Sequence, residues 1–173
     1  ALRYGHRMSV DLDLFSSTTF ENEALAKSIS EKFPHFSYRS LQNPIGLFGM
    51  IGPVKVDFVR YHIHPLLQPL DIIDGIRMFS APDIFAMKIA AILRRGVKKD
   101  FYDIAELLKH FSLEQSISFY TQKYPTQQLL ISIPYALTYF ADAEESEDPA
   151  SLNWETWISV KKTILQKVND YLK

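Results

Sequence analysis

The chain has 173 residues, of which 47% are hydrophobic and 23% charged, a balance typical of soluble globular proteins with one sizeable domain or two small ones. A formal net charge of −1 does not favour binding of long nucleic acids mainly through phosphate neutralisation. No apolar run approaches the roughly 18 to 20 residues that span a bilayer, and the lack of cysteine excludes disulfides and thiolate metal sites. We therefore expect a cytoplasmic protein with no membrane segment.

The first eighty residues carry several extended patterns and one helical pattern. Residues 8–14 alternate apolar and polar positions, which is typical of a half-buried strand. Leu25, Ile29 and Phe33 recur at intervals of four and form one face of a helix predicted over 21–33. Further strands are predicted over 36–41, 47–51 and 54–59. This part of the chain therefore predicts a small mixed β-sheet that carries one helix.

From Ser80 onward the spacing of apolar residues becomes helical. Ser80, Pro82 and Asp83 together mark a helix start, and Gly96 marks the end of that helix. Ser112 with Gln115 is a second capping signal. Further helices are predicted over 100–111, from 113 to about 124, over 127–141 with an interruption at Pro134, and over 154–172.

The change of pattern near residue 80 is the one plausible boundary in the chain. It predicts a sheet-containing part over 1–79 and a helical part over 80–173 that completes a cleft with it. The expected fold class is α+β.

Three aspartates stand on the polar faces of predicted strands. Ser9, Asp11 and Asp13 share one face of the first strand, with carboxylates that start from backbones roughly 6.6 Å apart. Asp57 lies on the polar face of a later strand, beside Lys55. If these strands are neighbours, the carboxylates converge as two-metal phosphoryl transfer requires, on Mg²⁺ with Mn²⁺ as the alternative. The competing interpretation is that an amphipathic strand needs outward polar residues.

The helix after Ser80 carries two cations on one stripe. Lys88 and Arg95 are seven residues apart and therefore about 20° apart around the axis, a spacing that suits binding of phosphates. From the residues alone, the favoured interpretation is that Lys88 stands at the edge of an amphipathic helix and only reaches toward solvent. Asp100 stands where the next helix is predicted to begin, so a helix-capping role explains it as well.

Aromatic residues recur at helical spacings in the second half of the chain. This spacing favours packing between helices over a platform for stacking nucleic-acid bases. The residues concerned are Tyr120, Tyr124, Tyr135, Tyr139, Trp154 and Trp157.

Two sequence blocks carry a resemblance to a known family. Residues 5–16, GHRMSVDLDLFS, resemble the Arg-x-Ser/Thr-x-Asp-x-Asp signature of the AbiEii/AbiGii toxins, which follows a glycine-rich motif in that family. Residues 87–96, MKIAAILRRG, and 99–104, KDFYDI, are similar to its Lys-x-x-Ala-x-x-x-Arg helix and Arg/Lys-Asp-x-x-Asp element. The resemblance covers nearly the whole chain. It implies a nucleotidyltransferase of the DNA polymerase β superfamily.

The resemblance also implies roles for individual residues. The catalytic set would be Asp11, Asp13, Asp57, Lys88 and Asp100; the metal ligands Asp11, Asp13 and Asp57; the substrate-binding residues Arg7, Ser9, Lys88 and Arg95. These residues would act on a nucleoside triphosphate in a cleft between the sheet and the helices. The acceptor hydroxyl implied is a tRNA 3′ end, gripped by the basic residues at 94, 95, 98 and 99, and the natural partner is a cognate antitoxin.

The glycine-rich motif of the family is expected immediately before Ala1, so this form is expected to lack it and to be a truncated enzyme. One alternative is a catalytically degenerate member that serves as a binding module. Another is a haloacid dehalogenase-like phosphatase, because Asp11-Leu12-Asp13 resembles the nucleophile motif of those enzymes. Phe15 and the lack of a later Gly-Asp motif count against the phosphatase.

Overall fold

The computed structural model describes residues 1–173, which form two compact units. One unit is Ser9–Pro65, and the other combines Ala1–Met8 with Leu66–Lys173. The sequence pattern predicts a boundary near residue 80, whereas the structure has one after Pro65. The difference arises because Leu67 packs against the helical core and its backbone N–H donates a hydrogen bond to Asp83.

The unit Ser9–Pro65 is a four-stranded sheet with one helix. Its strand order is β1-β4-β3-β2, in which β1 and β4 run parallel and the other neighbours are antiparallel. The elements are β1 (Asp11–Ser16), α1 (Asn22–Lys32), β2 (Phe36–Tyr38), β3 (Gly46–Ile51) and β4 (Val54–Arg60). All five were predicted from the sequence, with small shifts at their ends.

One face of this sheet is apolar because side chains alternate along each strand. Leu47 lies opposite Phe58 on this face, and α1 covers it through Ala26 and Ile29. Asp57 precedes Phe58 in the chain and therefore points to the other face. The sheet thus buries its apolar side under α1 and presents its aspartates on the opposite side.

The second unit consists of a β-hairpin and six helices around one core. Its elements are β5 (Asp71–Ile73), β6 (Ile76–Met78), α2 (Ala81–Arg94), α3 (Lys98–Leu107), α4 (Leu113–Lys123), α5 (Ile133–Thr138), α6 (Ala141–Glu144) and α7 (Trp157–Tyr171). Phe85, Phe101, Ile104, Leu137 and Ile164 are fully buried in its core. The α+β fold class is thereby confirmed.

The helix starts follow local chemistry. The side chain of Ser80 accepts a hydrogen bond from the N–H of Asp83, and Ser112 with Gln115 forms a capping box, both as predicted. Asp100 does not cap α3, because Val97 holds that position and Asp100 lies in the first turn. The single helix predicted over 127–141 is wrong: Pro134 lies in the first turn of the short α5 and does not interrupt a longer helix.

The N-terminal segment belongs with the helical unit because of backbone pairing. Arg7 and Ser151 form an antiparallel bridge, flanked by hydrogen bonds from Met8 N–H to the Ala150 carbonyl and from Leu152 N–H to the His6 carbonyl.

No helix in the structure is both long and apolar enough to cross a lipid bilayer.

Candidate active site

The pairing of β1 with β4 brings three predicted carboxylates to one face of the sheet, here called the carboxylate face (Asp11, Asp13 and Asp57). Asp13 is directly opposite Asp57, and Asp11 is opposite Lys55. Neighbouring strands lie about 4.8 Å apart, and paired residues point the same way. Asp13 and Asp57 therefore lie side by side on neighbouring strands, and Asp11 and Asp13 lie two residues apart on the same strand.

Asp57 is the most constrained member of the carboxylate face. Its side chain is buried, and its Oδ2 accepts a hydrogen bond from Nζ of Lys55. Its Oδ1 is also buried but has no hydrogen-bond partner. An unsatisfied buried carboxylate oxygen is costly, so this atom needs a partner that the chain does not supply.

The carboxylate face fits a divalent cation that is completed by substrate. No group of three or more histidine, aspartate or glutamate side chains is gathered tightly enough to hold a metal ion by itself. Mg²⁺, however, is usually bound by one or two carboxylates, with phosphate oxygens and waters as its other ligands. The opposed pair Asp13 and Asp57, with an unpartnered Oδ1, offers that donor set.

A second group of ionic side chains, the Lys88 cluster (Lys88, Asp100, Asp103, Arg7 and His6), lies within the helical unit. Nζ of Lys88 is 2.9 Å from Oδ1 of Asp100 and 2.6 Å from Oδ2 of Asp103. Burial alone would lower the pKa of Lys88, but the charges of Asp103 and Asp100 outweigh it and raise that pKa. Lys88 therefore stays protonated, in a fixed position between two buried carboxylates.

Asp103 organises the rest of the Lys88 cluster. Arg7 donates two hydrogen bonds to it, from Nε to Oδ1 and from Nη2 to Oδ2, both 2.8 Å long. Nε2 of His6 donates a third at 2.8 Å. Burial would raise the pKa of Asp103, but the hydrogen bond from His6, the charge of Lys88 and the bonds from Arg7 hold it well below its ordinary value.

The predicted phosphate ligands are differently placed. Arg7 is buried and its guanidinium is held by Asp103, so in this structure it braces the cluster and is not displayed on the surface. Arg95 is largely exposed, and its Nε lies 3.5 Å from Oδ2 of Asp100, an oxygen with no hydrogen-bond partner. Ser9 is exposed and its hydroxyl donates to the carbonyl of Asp11.

Sequence reasoning missed the role of Asp103. It lies inside the block 99–104 that carries the family resemblance, but only Asp100 was assigned a function there. The available signal was its position three residues after Asp100, which puts both carboxylates on one face of α3. Its partners Arg7 and His6 are 96 and 97 residues away in the sequence. No local sequence pattern could therefore indicate these contacts.

The aromatic residues divide into two classes. Tyr120 and Tyr124 are buried, and Trp157 packs against the helical core, as predicted. Tyr135, Tyr139 and Trp154, in contrast, are exposed, and for these the prediction of core packing was wrong. The first two lie where the predicted fourth helix is replaced by the short α5, which changes the face that they present; Trp154 precedes α7 and has a positive φ of 64°.

Residues 45–159 match the family described as nucleotidyl transferase AbiEii toxin, type IV toxin–antitoxin system. The uncharacterized protein aq_aa25 of Aquifex aeolicus (strain VF5) is 32% identical over 180 residues, which cover 99% of this chain and 84% of that protein. A crystal structure of an H. pylori protein, assigned provisionally as a nucleotidyltransferase, shares 13% identity with a TM-score of 0.49 and covers 99% of this chain and 84% of its own.

Proposed function

Because the chain belongs to the AbiEii nucleotidyl transferase toxin family, we propose that it transfers a nucleoside monophosphate from a nucleoside triphosphate to a hydroxyl group, with a divalent cation at the carboxylate face. The observation that carries the proposal is the register of β1 and β4. It sets Asp13 opposite Asp57, one oxygen of which is buried without a partner.

Asp11, Asp13 and Asp57 would hold Mg²⁺ or Mn²⁺, which would neutralise charge on the phosphates and stabilise the departing pyrophosphate. The acceptor oxygen forms a bond to the α-phosphorus, and the bond from that phosphorus to the bridging oxygen breaks. Pyrophosphate leaves with the electron pair of the broken bond. The proton of the acceptor hydroxyl passes to bulk water, because Asp11, Asp13 and Asp57, with the unpartnered Oδ1, are assigned to the cation.

Lys88 would bind a phosphate oxygen of the nucleotide. A lysine ammonium has three N–H donors, of which Asp100 and Asp103 engage two. The side chain is 24% exposed, so the third donor can reach a ligand. Two buried carboxylates keep Lys88 charged and oriented, which makes it a compact phosphate ligand that needs little reorganisation.

The family supports a proposal for the natural partner, and the resemblance of the two motif blocks supports one for the acceptor. A type IV toxin–antitoxin system supports a cognate antitoxin as partner, and the resemblance supports a tRNA 3′ end as acceptor. Such a reaction draws on the nucleoside triphosphates and tRNA of the cytoplasm.

Transfer of radiolabel tests the proposal directly. The chain is incubated with tRNA, Mg²⁺ and each nucleoside triphosphate, labelled on the α- or the γ-phosphate. We expect tRNA to acquire label from at least one α-labelled nucleotide and from no γ-labelled one. Asp13→Asn should lower this transfer by at least about 100-fold, because loss of even an outer-shell partner of a metal costs 10- to 100-fold. Asp170→Asn, an exposed aspartate near the end of α7, should leave it unchanged.

The other outcomes contradict the proposal in distinct ways. Release of phosphate from a monoester, without transfer of the α-phosphate, would identify a phosphatase. Nucleotide binding without turnover, in the presence of Mg²⁺ and tRNA, would identify a binding module.

A further inference from the structure

A recess in the surface of the helical unit lies between the C-terminal turn of α2 and α5. Its volume is about 290 Å³. The side chains that matter here are Arg94, Arg95, Tyr135, Tyr139 and Asp142. This volume lies at the lower end of the range for small-molecule sites, so the recess suits one or two nucleotides and not a double helix.

Two tyrosines of the recess present their rings to solvent. Tyr135 and Tyr139 are 58% and 47% exposed, with ring planes inclined by only 16° and centroids 6.3 Å apart. Exposed aromatic side chains that lie together form an apolar patch, and such patches are a feature of binding surfaces. Flat, nearly parallel rings are the arrangement on which unpaired bases stack without regard to sequence.

Two arginines supply the complementary charge. Arg94 and Arg95 are both exposed at the end of α2, and the only acidic side chain that lines the recess is Asp142. A positive groove beside aromatic rings is the general pattern for binding a single-stranded nucleic acid. Lys98 does not contribute to this charge, because its Nζ pairs with Asp148 at 3.0 Å. The basic residues at 94, 95, 98 and 99 were predicted to act as one patch, but Lys98 pairs with Asp148 and does not act together with Arg94 and Arg95.

The recess adjoins the Lys88 cluster, in which Lys88 is proposed to bind a phosphate of the nucleotide. Arg95 lines the recess, and its Nε lies 3.5 Å from Oδ2 of Asp100. The other oxygen of Asp100 binds Lys88 at 2.9 Å. A molecule in the recess would thus lie next to the Lys88 cluster, to which the proposed function assigns a phosphate of the nucleotide.

We propose that this recess binds the unpaired 3′ end of a single-stranded RNA acceptor, with bases stacked on Tyr135 and Tyr139 and backbone phosphates on Arg94 and Arg95. The proposal rests on the proposed function, because it identifies the site at which the acceptor of that reaction is held. About two phosphates are contacted, so the logarithm of the association constant should fall with the logarithm of salt concentration with a slope near −1.4.

Equilibrium binding tests the inference without any reaction. The anisotropy of a 5′-fluorescent, eight-nucleotide RNA is measured with the chain in the absence of nucleoside triphosphate and metal. We expect Tyr139→Ala and Arg94→Gln each to weaken binding about tenfold, the scale of one lost stacking or phosphate contact. Tyr139→Phe should bind as the unchanged chain does, since the ring face remains. Tyr171→Ala, at an exposed tyrosine of α7, should also bind unchanged.

The same RNA in a blunt duplex should bind at least tenfold more weakly. Equal affinity for the duplex, or unchanged affinity in Tyr139→Ala and Arg94→Gln proteins with native circular dichroism, would overturn the inference. If label transfer persists in those two proteins, the acceptor site is wrong while the proposed function stands. If single-stranded RNA binds as expected but no α-phosphate is transferred, the proposed function fails instead.

Discussion

At the scale of single residues, Asp103 does most to hold the Lys88 cluster together. Asp103→Asn leaves Lys88 and the buried Arg7 with less negative charge to compensate them. We expect the free energy of unfolding to fall by about 3 kcal/mol, the scale for removing one partner from a buried ionic pair. Urea unfolding followed by circular dichroism measures this change. The matched variant Asp170→Asn removes an exposed aspartate and should change it by less than about 0.5 kcal/mol.

A second buried pair, Lys123 with Asp83, has no assigned function and is structural. Nζ of Lys123 lies 2.6 Å from Oδ1 of Asp83, and both side chains are fully buried. Asp83 also accepts hydrogen bonds from the backbone N–H groups of Leu67 and Gln68, so the pair ties α4 to α2 and to the segment before the hairpin.

Lys123→Met should therefore destabilise the helical unit strongly, because it leaves the buried carboxylate of Asp83 without its cation. We expect a loss of about 3 to 5 kcal/mol in the free energy of unfolding by urea. Lys161→Met, which breaks the exposed pair with Glu144, should cost less than about 1 kcal/mol. Equal effects of the two substitutions would contradict the structural role given to Lys123.

The element on which a residue lies was predictable where the signal was local. Asp11 and Asp13 lie on β1 and Lys88 lies on α2, as the alternation and the helical spacing predict. The environment of these residues could not be predicted in the same way. That Lys55 pairs with Asp57 follows from spacing two apart on one strand face, but the unpartnered Oδ1 depends on burial by the rest of the sheet.

At the scale of elements, the carboxylate face depends on close pairing of β3 with β4. A side chain at Gly46 would bring its Cβ within 1.9 Å of the carbonyl oxygen of Phe58, a backbone atom that cannot move without shifting β4. Gly46→Ala should therefore lower the melting temperature by several degrees, as overpacking of a well-packed region costs about 1 to 3 kcal/mol. Thermal unfolding measures this. Glu31→Ala, on the exposed side of α1, should melt as the unchanged chain does.

The elements that were predicted correctly have short-range causes. The hydroxyls of Ser80 and Ser112 cap the helices that follow them, and both signals lie within four residues. The β5–β6 hairpin was missed although Asp74-Gly75 is a recognised turn signal, with positive φ at both residues. The recess at α5 was not predictable, because Tyr135 and Tyr139 lie at helical spacing but near the ends of a helix too short to bury them.

At the scale of the whole molecule, the buried carboxylates predict sensitivity to acid. Burial would raise the pKa of Asp83, but hydrogen bonds from Lys123, Ser80 and the Leu67 backbone lower it, and the pKa of Asp103 is lowered further. A carboxyl group with a lowered folded-state pKa stabilises the fold above its unfolded value of about 3.9, and this stabilisation is lost as pH falls below that value.

We therefore expect the free energy of unfolding to be nearly constant between about pH 7 and pH 5 on account of these groups and to fall steeply below about pH 4. Urea unfolding at a series of pH values measures the slope. The Asp103→Asn protein should show a shallower fall in the acid range, because one of the titrating groups is gone. An identical slope in that protein would contradict the charged, hydrogen-bonded state of Asp103.

The α+β class and the family were predictable because alternation, helical spacing and two motif blocks extend over nearly the whole chain. The boundary between units was not, because it depends on long-range contacts such as that of Leu67 with the helical core. Family membership likewise indicates a nucleotidyltransferase, while the proposed acceptor and metal depend on side-chain geometry that the motif blocks do not encode.

Binding of Mn²⁺ tests the central claim, that opposed aspartates of β1 and β4 hold the reactive cation. The chain is titrated with Mn²⁺ in the presence of a nucleotide whose α,β-bridging oxygen is replaced by methylene, because this replacement blocks transfer. Electron paramagnetic resonance measures the free Mn²⁺ at each step. We predict saturable binding that weakens at least about tenfold in Asp13→Asn and in Asp57→Asn proteins and is unchanged in Asp170→Asn. Unaltered affinity in both Asp13→Asn and Asp57→Asn proteins that remain folded would contradict the claim.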